Sequence, residues 1–368
     1  MITTINKLKD DAVKGKKVLV RVDFNVPIKD GAVADDYRIE RAMPTIEYLR
    51  KCGAKVLLIS HIETKDVDEP TLRPVFTHLS QKLPLSFIED CFSDDARQGV
   101  DMLEDGEIIL FENIRRYEGE KKNDPDFAKK LAELADLYVN DAFAVCHREH
   151  ASVVGVPKYL PSYAGLLLAD EIKHLKINNE TPHPFLFILG GAKFETKLPL
   201  IEKFLEKADN MFIGGALAND LLKLKGVDVK DSLVSTSNIS LDHLVSNPKI
   251  LMPKHMVWDG DKIMDAGLED VAALKPFIMS AKYILWNGPL GDYEKGFKEG
   301  TIALSRLIGE SEAKSVVGGG DTLASIKELG LMDQFTFIST GGGAMLEFLL
   351  KGTLVAVEAL EGRGTISL

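Results

Sequence analysis

Cysteine is scarce: Cys52, Cys91 and Cys146 are three among 368 residues, far apart and without a CxxC pair. That excludes a disulfide framework and implies no thiolate metal site, so a reducing cytoplasm fits best. Long hydrophobic runs are missing too. The longest, such as Ala164 to Ala169, fall far short of the ~20 residues that span a bilayer. The start, Met1-Ile2-Thr3-Thr4-Ile5-Asn6-Lys7, lacks the basic opening and apolar core of a signal peptide, so a soluble, unexported chain is expected. Positive charge is in deficit, with 45 Lys+Arg against 56 Asp+Glu and a net charge of -11. Such a chain repels polyanions at long range, which argues against general nucleic-acid or anionic-membrane binding; an anionic ligand has to meet local positive charge. No GxxxxGK[ST] occurs, no GxGxxG follows the first strand, and no GxSxG is present, so a Walker P-loop, a standard dinucleotide fold and a nucleophile elbow lose support.

What is present is ordinary globular material, 45% hydrophobic and 27% charged. At roughly 150 residues per domain the length gives two domains, or at most three. Short β-branched runs alternate with amphipathic stretches: Lys17 to Val22, Lys55 to Ile59, Glu107 to Phe111 and Leu137 to Val139 read as buried strands. A helix from about Asp36 to Cys52 has Ile39, Met43, Ile46 and Leu49 on one face, with Gly53 placed to end it. A second series follows, with Phe185 to Leu189, Met211 to Ile213, Tyr283 to Trp286, Ser315 to Val317 and Phe335 to Ile338. This rhythm predicts an α/β chain of two domains with mainly parallel sheets, joined by a helical link at about Tyr163 to Ile177.

The halves differ chemically. Nine of 11 arginines precede residue 150, whereas 23 of 30 glycines follow residue 160. Guanidinium groups grip carboxylates and phosphates bidentately, and glycine turns at helix N-termini offer free N–H groups to phosphate. Position strengthens the contrast, because ligands in open parallel sheets bind beyond the C-terminal strand ends. Arg21, Asp23 and Asn25 close the first strand at alternate positions; His61, Arg115 and Arg148 each follow a later one. Five glycine clusters, at residues 190–191, 214–215, 288–291, 318–320 and 341–343, also follow strands. Lys193 and Lys197 share a helix face, either around an anion or as two solvated lysines. Asp321 is placed either to ligate Mg²⁺ or to cap the next helix. Cys146, His147 and His150 lack a fourth metal ligand at usual spacing.

Read together, Arg21-Val22-Asp23-Phe24-Asn25-Val26-Pro27, Glu112-Asn113-Ile114-Arg115, Asn140-Asp141-Ala142-Phe143 with His147 to Ser152, Leu189 to Lys193, Trp286-Asn287-Gly288-Pro289, Gly319-Gly320-Asp321-Thr322 and Ser339 to Ala344 resemble the signatures of the phosphoglycerate kinase family. They occur in that family's order and span nearly the whole chain. The resemblance implies two Rossmann-like domains facing each other across a hinged cleft. Residues 1–160, completed by about 354–368, would hold 3-phosphoglycerate or 1,3-bisphosphoglycerate; 161–180 would form the interdomain helix and hinge; 181–353 would hold Mg-ADP or Mg-ATP. It further implies a cytoplasmic monomer acting on these small molecules, with Mg²⁺ as cofactor. Carried over by position, Asp23, Asn25, Arg38, His61, Arg115 and Arg148 would bind phosphoglycerate. Gly191, Ala192, Lys197, Asn287, Pro289 and Glu294 would line the nucleotide site, with Gly320 beside them, Asp321 on the metal and Thr322 on a phosphate. Arg38, Lys193, Lys197, Gly342 and Gly343 would surround the moving phosphoryl group.

Departures from the family pattern carry weight. After Ser60-His61 the family usually has Leu-Gly-Arg-Pro, its Arg on the substrate phosphate, where this chain has Ile62-Glu63-Thr64-Lys65. Lys65 and Arg116 are the candidates to replace the lost guanidinium, against the alternative of a solvated loop. Ala144, Lys254, Leu268 and Asp292 also differ. Glu63, Thr64 and Asp292 motivate a second reading, a nucleotide-binding paralogue with attenuated catalysis and a regulatory role. Retention of Arg38, Lys193, Asp321 and the Thr340 to Gly343 loop favours the enzyme, since a pure binding module has no use for transition-state donors.

Overall fold

The structure is a computed structural model that describes residues 2–9, 12–64, 68–192, 194–235 and 241–361. Lys65 and Lys193 lie outside these residues. The chain divides into two compact units, one formed by Met1–Lys173 with Lys351–Leu368 and the other by His174–Leu350. The boundary falls inside the helix Leu166–Leu175.

In the first unit the strands are β1 (Lys17–Arg21), β2 (Ile28–Lys29), β3 (Ala32–Val33), β4 (Lys55–Ile59), β5 (Ser86–Ile88), β6 (Ile108–Phe111), β7 (Leu137–Asn140) and β8 (Ser162–Ala164). β2 and β3 form a small hairpin; the other six make one parallel sheet in the order β5-β6-β4-β1-β7-β8. Continuous burial along β6 and β7, and along all but the first residue of β1 and β4, explains their unalternating apolar sequences: helices cover both faces of a parallel sheet. The helix Tyr37–Lys51 buries Ile39, Ile46 and Leu49, leaves Met43 half-buried, and adds Ala42 and Thr45 to the packed face. Gly53 ends it at φ 74°, donating its N–H to the Arg50 carbonyl over 3.0 Å.

The second unit has β9 (Phe185–Leu189), β10 (Asn210–Ile213), β11 (Ile250–Leu251), β12 (Met256–Asp259), β13 (Lys262–Ala266), β14 (Tyr283–Asn287), β15 (Lys314–Gly318) and β16 (Phe337–Ile338). β12 and β13 form an antiparallel hairpin, and the rest a parallel sheet in the order β11-β10-β9-β14-β15-β16. Strand order reverses between β9 and β14, the switch point where such sheets open a ligand crevice.

Two expectations shift. Tyr163 belongs to β8, not to the linking helix, which runs only from Leu166 to Leu175. Pro161 ahead of the strand and Gly165 behind it confine β8 to three residues; a Cβ on Gly165 would sit 2.1 Å from the Asp141 carboxylate, which accepts the Leu168 N–H of the new helix. The last strand begins at Phe337 instead of Phe335. Phe335 still bonds back to Met332, and Thr336 exchanges hydrogen bonds with Ser315 through side-chain oxygens, so the regular ladder starts only at Phe337. The helix Val355–Leu360 packs on the first unit, where the Ala356 N–H reaches the Cys146 carbonyl over 3.1 Å.

Candidate active site

β1 ends in Arg21, and its guanidinium turns inward. It is fully buried: Nε donates to the Ser152 hydroxyl over 3.0 Å, and Nη2 lies 3.1 Å from Nδ1 of His61. Ser152, presented by the π-type turn Ala151–Gly155, donates its hydroxyl to one oxygen of the buried Glu120 carboxylate over 2.6 Å and its N–H to the other over 2.8 Å. A buried cation and a buried anion are thus bridged by one hydroxyl, which satisfies both as burial demands. Arg21 is therefore part of the floor, a distinction that strand alternation does not reveal.

On that floor the chain brings together residues far apart in sequence. Arg38 reaches Asp23 and the Asn25 carbonyl, both at 3.0 Å. The Asn25 side-chain oxygen accepts the Glu63 N–H at 2.9 Å. The Glu-Asn-Ile-Arg string fixes the following loop: Glu112 accepts the Leu72 and Asn113 N–H groups, while Asn113 donates to the Ile62 and Pro70 carbonyls and accepts from the Arg115 N–H. Arg115, largely buried, pairs with Glu63 at 2.6 Å, and Lys121 pairs with the other oxygen of the same carboxylate at 3.0 Å. Arg148 stands exposed in the loop after β7.

Two histidines register the resulting field. His61 is held well below its ordinary pKa, first by burial and then by Arg21, Arg115, Arg38 and His150. His150 is lowered to about 4, first by burial and then by Arg115, Arg21, Arg148 and Lys121. Burial is the larger cause at each and the converging guanidiniums push the same way, which is the electrostatics of an anion seat. Three other front-half arginines are engaged elsewhere: Arg73, Arg97 and Arg41 form ion pairs with Glu89, Asp94 and Asp170. Arg116 pairs with Glu112 at 3.5 Å. Glu120 and Lys121 were not singled out from sequence, because in the charged run Glu118-Gly119-Glu120-Lys121-Lys122 nothing marks one carboxylate as buried.

In the second unit a cavity of about 500 Å³ opens beside the β9/β14 switch point, lined by Gly191, Ala192, Pro289, Glu294 and Asp321 among others. Its floor is backbone on backbone. A Cβ on Gly190 would lie 2.2 Å from the Pro289 carbonyl, and one on Gly215 would lie 2.6 Å from the Gly191 nitrogen. Only glycine permits that approach. The Lys197 ammonium donates to the Gly190 carbonyl over 2.6 Å, and burial lowers its pKa to about 8. Apolar walls come from Leu233, Pro253, Ile263 and Leu290. Buried Asp265, absent from the sequence candidates, accepts the Ala266 and Gly300 N–H groups and braces one side.

Three carboxylates sit at the rim. Asp321 is raised, first by burial and then by Glu294 and Asp292, so the rim repels further negative charge and favours a cation. Asp321 is the second residue of the helix Gly320–Glu328, and Gly342 precedes and Gly343 begins the helix Gly343–Lys351. The Thr322 hydroxyl is buried without a partner among the described residues. Asn287 is buried, its amide 3.7 Å from the Met345 sulfur. Thus Gly191, Ala192, Pro289, Glu294 and Asp321 line the cavity, whereas Lys197, Asn287, Gly320, Thr322, Gly342 and Gly343 are not among its lining residues.

The phosphoglycerate kinase family model matches residues 8–352. The chain is 42% identical to a phosphoglycerate kinase from Dictyoglomus turgidum, covering 98% of this chain and 99% of that protein. It is 40% identical to one from Maricaulis maris, covering 98% of each. Among solved structures it resembles the phosphoglycerate kinase from Coxiella burnetii, with TM-score 0.83, 34% identity and coverage of 99% and 100%. The enzyme from Pyrococcus horikoshii matches with TM-score 0.85, 31% identity and 98% coverage of each chain.

Proposed function

Because the chain belongs to the phosphoglycerate kinase family, we propose a division of labour in which the first unit seats the phosphoglycerate and the second the nucleotide. The activity is reversible phosphoryl transfer between 1,3-bisphosphoglycerate and ADP, giving 3-phosphoglycerate and ATP. Relatives named for the active enzyme match over nearly their full length, which leaves the attenuated reading unsupported.

The observation that carries the proposal is the gathering of guanidiniums at the strand ends of the first unit: buried Arg21 lies 3.1 Å from His61, Arg38 pairs with Asp23, and largely buried Arg115 pairs with Glu63. In that seat Arg38, Arg115 and Arg148 supply charge, and His61, Asp23 and Asn25 orient the carboxylate and hydroxyl of the substrate. In the second unit the apolar walls suit a base and Glu294 the ribose hydroxyls. Gly191, Ala192, Pro289 and Asn287 shape the floor, and Lys197, Gly320, Thr322 and the N–H groups of Gly342 and Gly343 face phosphate oxygens. Lys193 belongs to the same proposal from its sequence position alone.

Mg²⁺ fits the rim through Asp321. A single carboxylate suffices for this ion, which takes its remaining ligands from water and nucleotide phosphates, and its charge would offset that of the transferring group. The reaction needs little proton transfer. A terminal ADP oxygen, already anionic, forms the new P–O bond as the acyl phosphate bond breaks, and the carboxylate departs with the electron pair. Catalysis by this chain is therefore alignment plus cations and N–H dipoles directed at the phosphoryl oxygens. We extend the proposal to a cytoplasmic monomer: the three cysteines, Cys52, Cys91 and Cys146, stand far apart in the sequence without a CxxC pair, which suits a reducing compartment, and sedimentation reads the oligomeric state. A coupled assay with 3-phosphoglycerate and Mg-ATP tests the activity; turnover is expected, and its absence at millimolar substrate would overturn the reading.

A further inference from the structure

We propose that Glu63 is an internal stand-in for the substrate's phosphate, held between Arg115 and Lys121, and that Lys121 replaces the guanidinium this chain lacks at Thr64. The inference rests on the phosphoglycerate seat proposed above. Glu63 bridges the two cations with separate oxygens, at 2.6 Å to Arg115 and 3.0 Å to Lys121. Those are contacts a phosphate would take, but a carboxylate fills them incompletely. The Arg115 Nε–H is buried and has no acceptor among the described residues, although its Nη1 is paired. A buried donor left open is a cost that a ligand with more oxygens removes. A phosphoryl dianion brings three terminal oxygens and twice the charge, enough for Nη1, Nε and Lys121 together.

Glu63 is also built to leave. Its side chain is 51% exposed, and its anchor is the backbone N–H on Asn25, so rotation about side-chain bonds frees the carboxylate without moving the chain. Arg115 is only 9% exposed, so its charge needs a partner, and the incoming phosphate supplies one as Glu63 leaves. Arg115 and Lys121 are thereby kept together and charge-compensated when no substrate is bound, and the apparent substrate affinity is lowered by the fraction of molecules in which Glu63 occupies the seat. Lys121 lies 58 positions from Glu63 in the sequence, whereas Arg116 is engaged by Glu112.

Titration calorimetry on wild type, Glu63→Gln, Lys121→Met and the double variant tests this, with 3-phosphoglycerate and glycerate as ligands. Glu63→Gln keeps the backbone anchor and the side-chain volume. It is expected to tighten 3-phosphoglycerate roughly three- to tenfold, with glycerate unchanged and the KM for Mg-ATP unmoved. Lys121→Met is expected to weaken 3-phosphoglycerate in both backgrounds. Unchanged or weaker binding in Glu63→Gln would overturn the inference, as would equal tightening of glycerate. If wild type itself neither binds 3-phosphoglycerate nor turns over, the underlying assignment of the seat fails instead.

Discussion

Arg21 points Nη2 at Nδ1 of His61 over 3.1 Å, both side chains buried. A guanidinium has five donors and no acceptor, so the His61 nitrogen facing it must carry the lone pair. The proton of the neutral ring then sits on Nε2. Arg21 thus acts through His61, by choosing its tautomer. Nitrogen-15 NMR should show His61 neutral and protonated at Nε2 at pH 6, where an ordinary histidine is mostly charged, as its lowered pKa predicts. An imidazolium signal at pH 6 would contradict this.

The same field has a consequence for stability. His150 is lowered to about 4 in the folded protein, whereas an unfolded histidine titrates near 6.5. Between these values the unfolded chain binds more protons, so stability is intact above about pH 6.5 and falls as pH drops toward 4. His61, also lowered, adds to the same limb. His150→Gln should flatten the dependence of Tm on pH in that window, and an unchanged slope would mean that burial and the nearby arginines do not lower the His150 pKa.

Lys197, with its pKa lowered to about 8 by burial, predicts an alkaline limb. Its charge is present below pH 8 and is lost above it, so affinity for ADP should decline as pH rises through 8. Bound phosphate favours the ammonium and moves the limb upward in the complex. Lys197→Arg should abolish the limb, because guanidinium does not titrate there. A limb that survives in this variant would assign it to another group.

Removing Asp321 separates metal from substrate. Asp321→Ala is expected to weaken Mg²⁺-dependent nucleotide binding by about tenfold or more, while leaving 3-phosphoglycerate affinity within twofold. Calorimetry on both ligands reads the two effects apart. Equal losses on both would place Asp321 in a structural role.

The sheets were legible because buried parallel strands such as Phe185–Leu189 are continuous apolar runs, read without knowing their partners. Ser162–Ala164 escaped notice: three residues between Pro161 and Gly165 carry no period, and the strand exists because β7 offers an edge. The hairpin Met256–Ala266 was missed although Asp259-Gly260 marks a turn, because its first strand is largely exposed and lacks apolar alternation. At the site, strand ends pointed to His61 and Arg115 by rule. That Arg21 turns inward depends on Ser152 and Glu120, 131 and 99 positions away, and the bridge from Glu63 to Lys121 depends on tertiary placement alone.

Steady-state kinetics of Arg38→Met, beside wild type and with 3-phosphoglycerate and Mg-ATP, test the central claim that cations of the first unit stabilise the moving phosphoryl group. The account predicts a fall in kcat of about hundredfold or more, with affinity for Mg-ATP preserved. Full kcat in the variant would contradict it.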